Sequence, residues 1–174
     1  MLEWLHDDVN RVANLGPMPQ LFVKDRRDVK AAKRHWTNYL ERNQSIIVQL
    51  FCGQTRSVVK CFLCNGESVT YSHFTMLTLP LPQHNNRTSV KECLELYLKE
   101  EDVNDFKCYI CRRKGKVTKK IDIVKLPPLL IIHLSRFYYE GMDRRKKTNF
   151  VHSDLEDVHI GQFALPGFEN RHNR

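Results

Sequence analysis

The chain has 174 residues, 41% of them hydrophobic and 28% charged, enough apolar content to support one core. Its formal net charge of +8 favours acidic partners or nucleic acid by long-range attraction but selects neither. No window is long and apolar enough to span a bilayer, and the first residues lack the basic start and apolar run of a secretory signal.

Residues 1–15 read as an amphipathic helix, with Leu2, Leu5, Val9 and Val12 near one stripe and Gly16, Pro17 and Pro19 ending it. Asp28 can cap a second helix reaching about residue 42, whose buried side would carry Ala32, Trp36, Tyr39 and Leu40. Residues 45–51 are rich in Ile, Val and Leu and read as a strand broken by Gly53 and Gln54. A second strand over 57–60 leads to Cys61.

Residues 69–81 alternate as a strand closed by Pro80 and Pro82, and a polar loop follows over 84–87. Ser89 and Glu92 have capping-box spacing. Val90, Cys93, Leu94, Tyr97 and Leu98 then recur at helical intervals, and the helix should end among residues 99–102. Residues 117–125 and 129–139 read as strands on either side of Pro127 and Pro128. A basic loop over 144–147, a weak segment over 151–160 and a loose tail complete the chain. The basic clusters at 24–34, 112–120 and 144–147 read as solvated faces.

Cys61 and Cys64 form one C-x-x-C pair, and Cys108 and Cys111 form another. Each such turn aims two sulfurs at one point, so two turns can supply the four thiolates of a tetrahedral Zn²⁺ site. Lys60, Lys107, Arg112, Arg113 and Lys114 flank the four ligands, and their field favours thiolate over thiol. Four protein ligands leave no position for water, so the expected zinc is structural. Paired cysteines without a secretory signal point to a reducing compartment, hence cytoplasm or nucleus.

The remaining candidates are weaker. Cys93 lies on an apolar helix face and reads as a core residue. Cys52 ends an expected strand and lacks the helix N-terminus that commonly depresses a catalytic thiol's pKa. His133 sits in an apolar strand and reads as a satisfied core histidine. His6, His35 and His73 have no acid or cysteine at a fixed spacing.

Taken in order, these residues resemble the ubiquitin-specific protease family. The segment His6-Asp7-Asp8-Val9-Asn10 is similar to the end of a thumb helix. Trp36, Leu40-Glu41-Arg42-Asn43, Ser45-Ile46-Ile47-Val48, Leu50-Phe51 and Gly53-Gln54 resemble the lead into the fingers. Cys61, Cys64, Ser68, Phe74 and Leu77-Thr78-Leu79-Pro80-Leu81 continue the pattern, as do Cys93-Leu94, Glu100-Glu101, Cys108 and Cys111. Lys119-Lys120, Leu126-Pro127-Pro128-Leu129-Leu130 and His133-Leu134-Ser135-Arg136-Phe137 close it. Ser135 stands where the family usually has lysine and Cys52 where it often has glutamine, while Ser153 and Asp154 replace a usual Phe-Pro before Leu155.

The resemblance implies an α+β, partial papain-like fold. Thumb-derived helices would occupy 1–43, zinc-ribbon fingers 44–125, part of the palm 126–160 and a loose tail 161–174. Full members cleave the bond at the C-terminal glycine of ubiquitin with a cysteine in a Gly-Asn-Thr-Cys box and a histidine in a Gly-His-Tyr box. Neither box occurs in these 174 residues. The expectation is therefore a truncated or pseudoenzyme chain with no catalytic residue, inactive alone, that binds ubiquitin or ubiquitinated proteins weakly. Phe74 and Met76 are its candidate ubiquitin contacts. Faces left uncovered by missing thumb and palm would invite self-association. The alternative reading is a zinc-ribbon nucleic-acid binder or a scaffold; the scattered basic residues count against nucleic acid.

Overall fold

The computed structural model describes residues 2–12, 29–82, 86–153 and 160–166. Gly16, Pro17, Pro19, Asp28, His84, Asp154, Leu155 and residues 167–174 lie outside the described residues.

A four-stranded antiparallel sheet, in the order β2-β1-β6-β5, forms the frame. Its strands are β1 (Gly53–Cys61), β2 (Glu67–Phe74), β5 (Glu101–Lys107) and β6 (Lys114–Lys125). Alternation along β1 sets two faces. Val58, with Val69 and Tyr71 of β2 and Val124 of β6, packs beneath Ala31 and Ala32 of helix α2 (Val29–Leu40). Gln54, on the same face, donates from Nε2 to the Ala32 carbonyl at 3.3 Å.

Ile123 turns to the opposite face and joins a second apolar cluster. That cluster holds Val90, Cys93 and Leu94 of helix α4 (Val90–Leu98), with Leu77 and Leu79 of β3 (Leu77–Pro80). Strand β3 pairs in parallel with β7 (Ile132–Ser135). A short parallel pair joins β4 (Arg87–Ser89) to β10 (Phe150–His152), and β8 (Phe137–Glu140) forms a hairpin with β9 (Asp143–Lys146).

The expected capping box is present. Ser89 Oγ accepts from the Glu92 amide at 3.2 Å, and the Glu92 carboxylate accepts from the Ser89 amide at 2.9 Å. Cys93 is fully buried, as its apolar setting implied.

Several expectations are corrected. Residues 45–51 are not a strand: Ile46–Phe51 is a helix, α3, capped by Ser45 Oγ accepting from the Val48 amide at 3.1 Å. The β-branched run suggested extension, but the local cap and burial of Val48 decide the conformation. Gly53 and Gln54 open β1 rather than break a strand. Residues 69–81 divide into β2 and β3, and 129–139 into β7 and β8. Residues 101 and 102 belong to β5 rather than to a helix end.

Helix α1 (Leu2–Val9) also departs from its expected stripe, since Leu5 and Val9 are exposed. Polar contacts dock it instead. His6 lies 2.7 Å from Ser45 Oγ and 3.1 Å from Asn43 Oδ1, and Asn10 Nδ2 donates to the Arg42 carbonyl at 3.1 Å.

Candidate metal centre

The first cysteine pair lies where β1 turns towards β2, and the second where β5 turns towards β6. Because β1 and β6 are paired neighbours, the two turns reach the same end of the sheet. All four sulfurs lie within 4.8 Å of one another, and Cys64 Sγ is 3.8 Å from Cys108 Sγ. A tetrahedral ZnS₄ centre with bonds of about 2.3 Å has edges of about 3.8 Å, so the cluster fits the ion.

The two turns share one construction. The Cys61 amide donates to the Gly66 carbonyl at 3.0 Å, and the Cys108 amide donates to the Arg113 carbonyl at 2.9 Å. Asn65 has φ 53° and Arg112 φ 62°, so a left-handed residue follows the second cysteine of each pair. Asn-Gly at 65–66 announces that turn; Arg112 gives no such signal, because arginine rarely takes this region unaided.

Backbone amides are aimed at the sulfurs. The Ile110 amide donates to Cys108 Sγ at 3.4 Å. Amides of Cys64 and Leu63 hold Cys61 below the usual thiol range, and the Arg113 amide draws Cys111 down to about 7. The Gly66 amide also favours the Cys64 thiolate, but burial and the three neighbouring sulfurs outweigh it and push Cys64 up to about 11. Four sulfurs this close cannot all carry charge unless a cation sits among them. Cys61, Cys108 and Val117 are buried together, while Cys64 and Cys111 keep partial exposure.

The other cysteines do not join this site. Cys52 caps the C-terminus of α3, the end that disfavours a thiolate. Burial pushes its thiol up, and it lies 3.5 Å from the Tyr39 hydroxyl. Cys52 and His73 do line one cavity of about 170 Å³ between α1, α3 and β2, a proximity invisible at their sequence separation. Yet burial holds His73 down to about 3, and no hydrogen bond joins the two among the described residues. A high thiol and a weak imidazole are the reverse of an activated pair.

His35 and His73 stack at 4.9 Å, and His73 lies on Tyr39 at 3.7 Å. His133, expected in the core, is exposed on β7 with Nδ1 3.5 Å from Thr78 Oγ1. Alternation along this short strand turns its ring outward while Ile132 and Leu134 pack inward. Phe74 is half-buried against the second cluster and over Gly53, whereas Met76 is exposed in the turn between β2 and β3.

An antiparallel sheet ending in a four-cysteine cluster able to hold a metal, carried on an α+β body, is a finger-type ribbon within a mixed fold. The ubiquitin carboxyl-terminal hydrolase family model matches residues 1–174, and the chain belongs to that family. Ubiquitin carboxyl-terminal hydrolase 21 of Homo sapiens is 33% identical over 186 residues, which cover 94% of this chain and 33% of the relative. Ubiquitin carboxyl-terminal hydrolase 2 of Gallus gallus is 33% identical over 173 residues, covering 94% and 47%. Among solved structures, a yeast SAGA DUB module with an altered Sgf73 gives a TM-score of 0.56 at 27% identity, over 70% of this chain and 28% of that chain. A SAGA Ubp8/Sgf11/Sus1/Sgf73 module bound to monoubiquitin gives 0.53 at 26%, over 70% and 29%. The chain spans about a third to a half of the length of these curated relatives.

Proposed function

We propose that these residues form the ubiquitin-holding fingers, with some adjoining palm, of a cysteine-type deubiquitinase, and that they carry out no hydrolysis alone. The cluster of four sulfurs carries this reading, because it stands inside a family match that spans the whole chain. Zinc suits the thiolate set and its tetrahedral spacing, and a closed four-ligand site fixes the fingertip without activating water. Reduced thiols of this kind belong to cytoplasm or nucleus.

Amide hydrolysis in this family would need a thiolate, a base and donors for the oxyanion. The chain has no Gly-Asn-Thr-Cys or Gly-His-Tyr box, and Cys52 is poised against ionisation. Binding requires less. Met76 offers an exposed apolar contact to the body of ubiquitin, and Phe74 seats on Gly53 to set the turn that presents it. The exposed Trp4, Leu5 and Val9 of α1 are an apolar surface through which the isolated chain would self-associate.

Titrating isotope-labelled ubiquitin with the zinc-loaded chain tests the reading. Shifts confined to one ubiquitin face, weakened by Met76→Ala, are expected. No shift at about millimolar protein would remove the binding function. A thiol-reactive ubiquitin probe should leave the chain unmodified, and a covalent adduct would overturn the assignment of inactivity.

A further inference from the structure

The metal turns expose four large apolar side chains. Phe62, Leu63, Tyr109 and Ile110 keep 55%, 49%, 53% and 55% of their surface accessible. They are the two middle residues of each C-x-x-C pair, and neither metal binding nor the core needs their bulk. Singly exposed apolar residues are ordinary; four on two adjoining turns are not.

These side chains are held in place. A Cβ at Gly115 would lie 2.7 Å from Leu63 Cδ1, and one at Gly66 would lie 2.6 Å from Ile110 Cδ1. Each turn therefore rests an apolar side chain on a glycine that follows the other turn. Tyr109 meets Phe106 edge-on at 5.7 Å, and Phe106 is paired with Gly115 across β5 and β6. The patch is preorganised, which lowers the entropy lost on docking.

Its rim is basic. Lys107 and the run at 112–114 are exposed and make no salt bridge among the described residues; these four cations outnumber the exposed Asp105 that precedes Phe106. The nearby Asp102 is committed to Lys116 at 2.7 Å, and Lys116 also lies 5.2 Å from the Phe62 ring. An apolar centre with a positive rim complements an apolar stripe flanked by carboxylates. We propose that the paired turn tips dock an acidic amphipathic helix of a partner protein. The site is separate from the candidate ubiquitin contacts, which sit at the other end of the eight-residue strand β2, roughly 25 Å away.

The test uses the zinc-loaded chain and a synthetic helical peptide of about four turns, with leucines on one face and glutamates beside them. Calorimetry should give a dissociation constant in the range of tens of micromolar. Replacing the glutamates by lysines should weaken binding about tenfold or more, as should Phe62→Ser with Tyr109→Ser. Cobalt substituted into the doubly changed chain should keep its tetrahedral thiolate spectrum, separating a lost surface from a lost site. Equal binding of both peptides, no binding, or unchanged affinity in the variant would overturn the proposal. So would displacement of the peptide by ubiquitin, or a dimer of this chain that the same substitutions abolish.

Discussion

Arg56 and Asp122 stand directly opposite each other on β1 and β6, with Arg56 Nη2 2.7 Å and Nε 3.1 Å from the same carboxylate oxygen. Both side chains are about nine-tenths shielded from solvent. The contact ties the two central strands together within the stretch of β1, between Gln54 and Val58, that packs against α2. Removing one partner strands a buried charge, so Asp122→Ala should cost about 3–5 kcal/mol in urea unfolding. An apolar replacement of both residues should recover most of that loss, because it removes both desolvation costs. A loss below about 1 kcal/mol for Asp122→Ala would mean the pair is solvated like a surface bridge.

Buried histidines give the fold an acid sensitivity. Burial lowers His35, and burial with the neighbouring His35 lowers His73 to about 3. Among the described residues, Nδ1 of His35 and Nε2 of His73 are buried without a hydrogen-bond partner. In the unfolded chain such rings accept protons below about pH 6.5, whereas the folded His73 resists until about 3. Their contribution is therefore complete above the unfolded value and is lost as pH falls through the window between the two. His73→Phe keeps the stack on Tyr39 and should flatten unfolding free energy between pH 6 and 4 relative to the parent, read by denaturant titration at each pH.

Much of the site was legible from chain order alone. The spacing of two cysteine pairs announces the cluster of four sulfurs that the fold brings together, and Ser89 with Glu92 states a helix start through local hydrogen bonding. Both signals act within a few residues. Arg56 with Asp122, and Cys52 with His73, could not be read this way, because strand register and element packing bring them together. The helix at Ile46–Phe51 was missed for a different reason. Its composition favours extension, and only one capping oxygen and one buried valine overrule it.

Gly53 shows a close approach that composition does not reveal. A Cβ there would lie 2.7 Å from the Lys125 carbonyl and would run into the Phe74 ring. Gly53→Ala should destabilise by about 1–3 kcal/mol through overpacking. Gly53→Ala combined with Phe74→Leu should regain part of this, checked by thermal unfolding. No cost from Gly53→Ala would mean that β1 and β2 shift apart freely at this end.

The cap of α4 offers a smaller effect. Ser89→Ala removes the acceptor for the Glu92 amide and should cost about 1 kcal/mol in chemical denaturation. Hydrogen bonds from Thr88 and the Ser89 amide hold Glu92 below its ordinary range, so its carboxyl should titrate lower in the folded chain than in an unfolded peptide. Carbon-detected NMR of that carboxyl reads the difference.

Whether one metal ion organises the fingertip is decided by X-ray absorption on chain purified under reducing conditions with zinc supplied. One zinc per chain, bound by four sulfurs at about 2.3 Å, is expected, with one sulfur lost in Cys64→Ser and a second when Cys108→Ser is added. Nitrogen or oxygen in the first coordination sphere, or a mass showing two disulfides among Cys61, Cys64, Cys108 and Cys111, would contradict it.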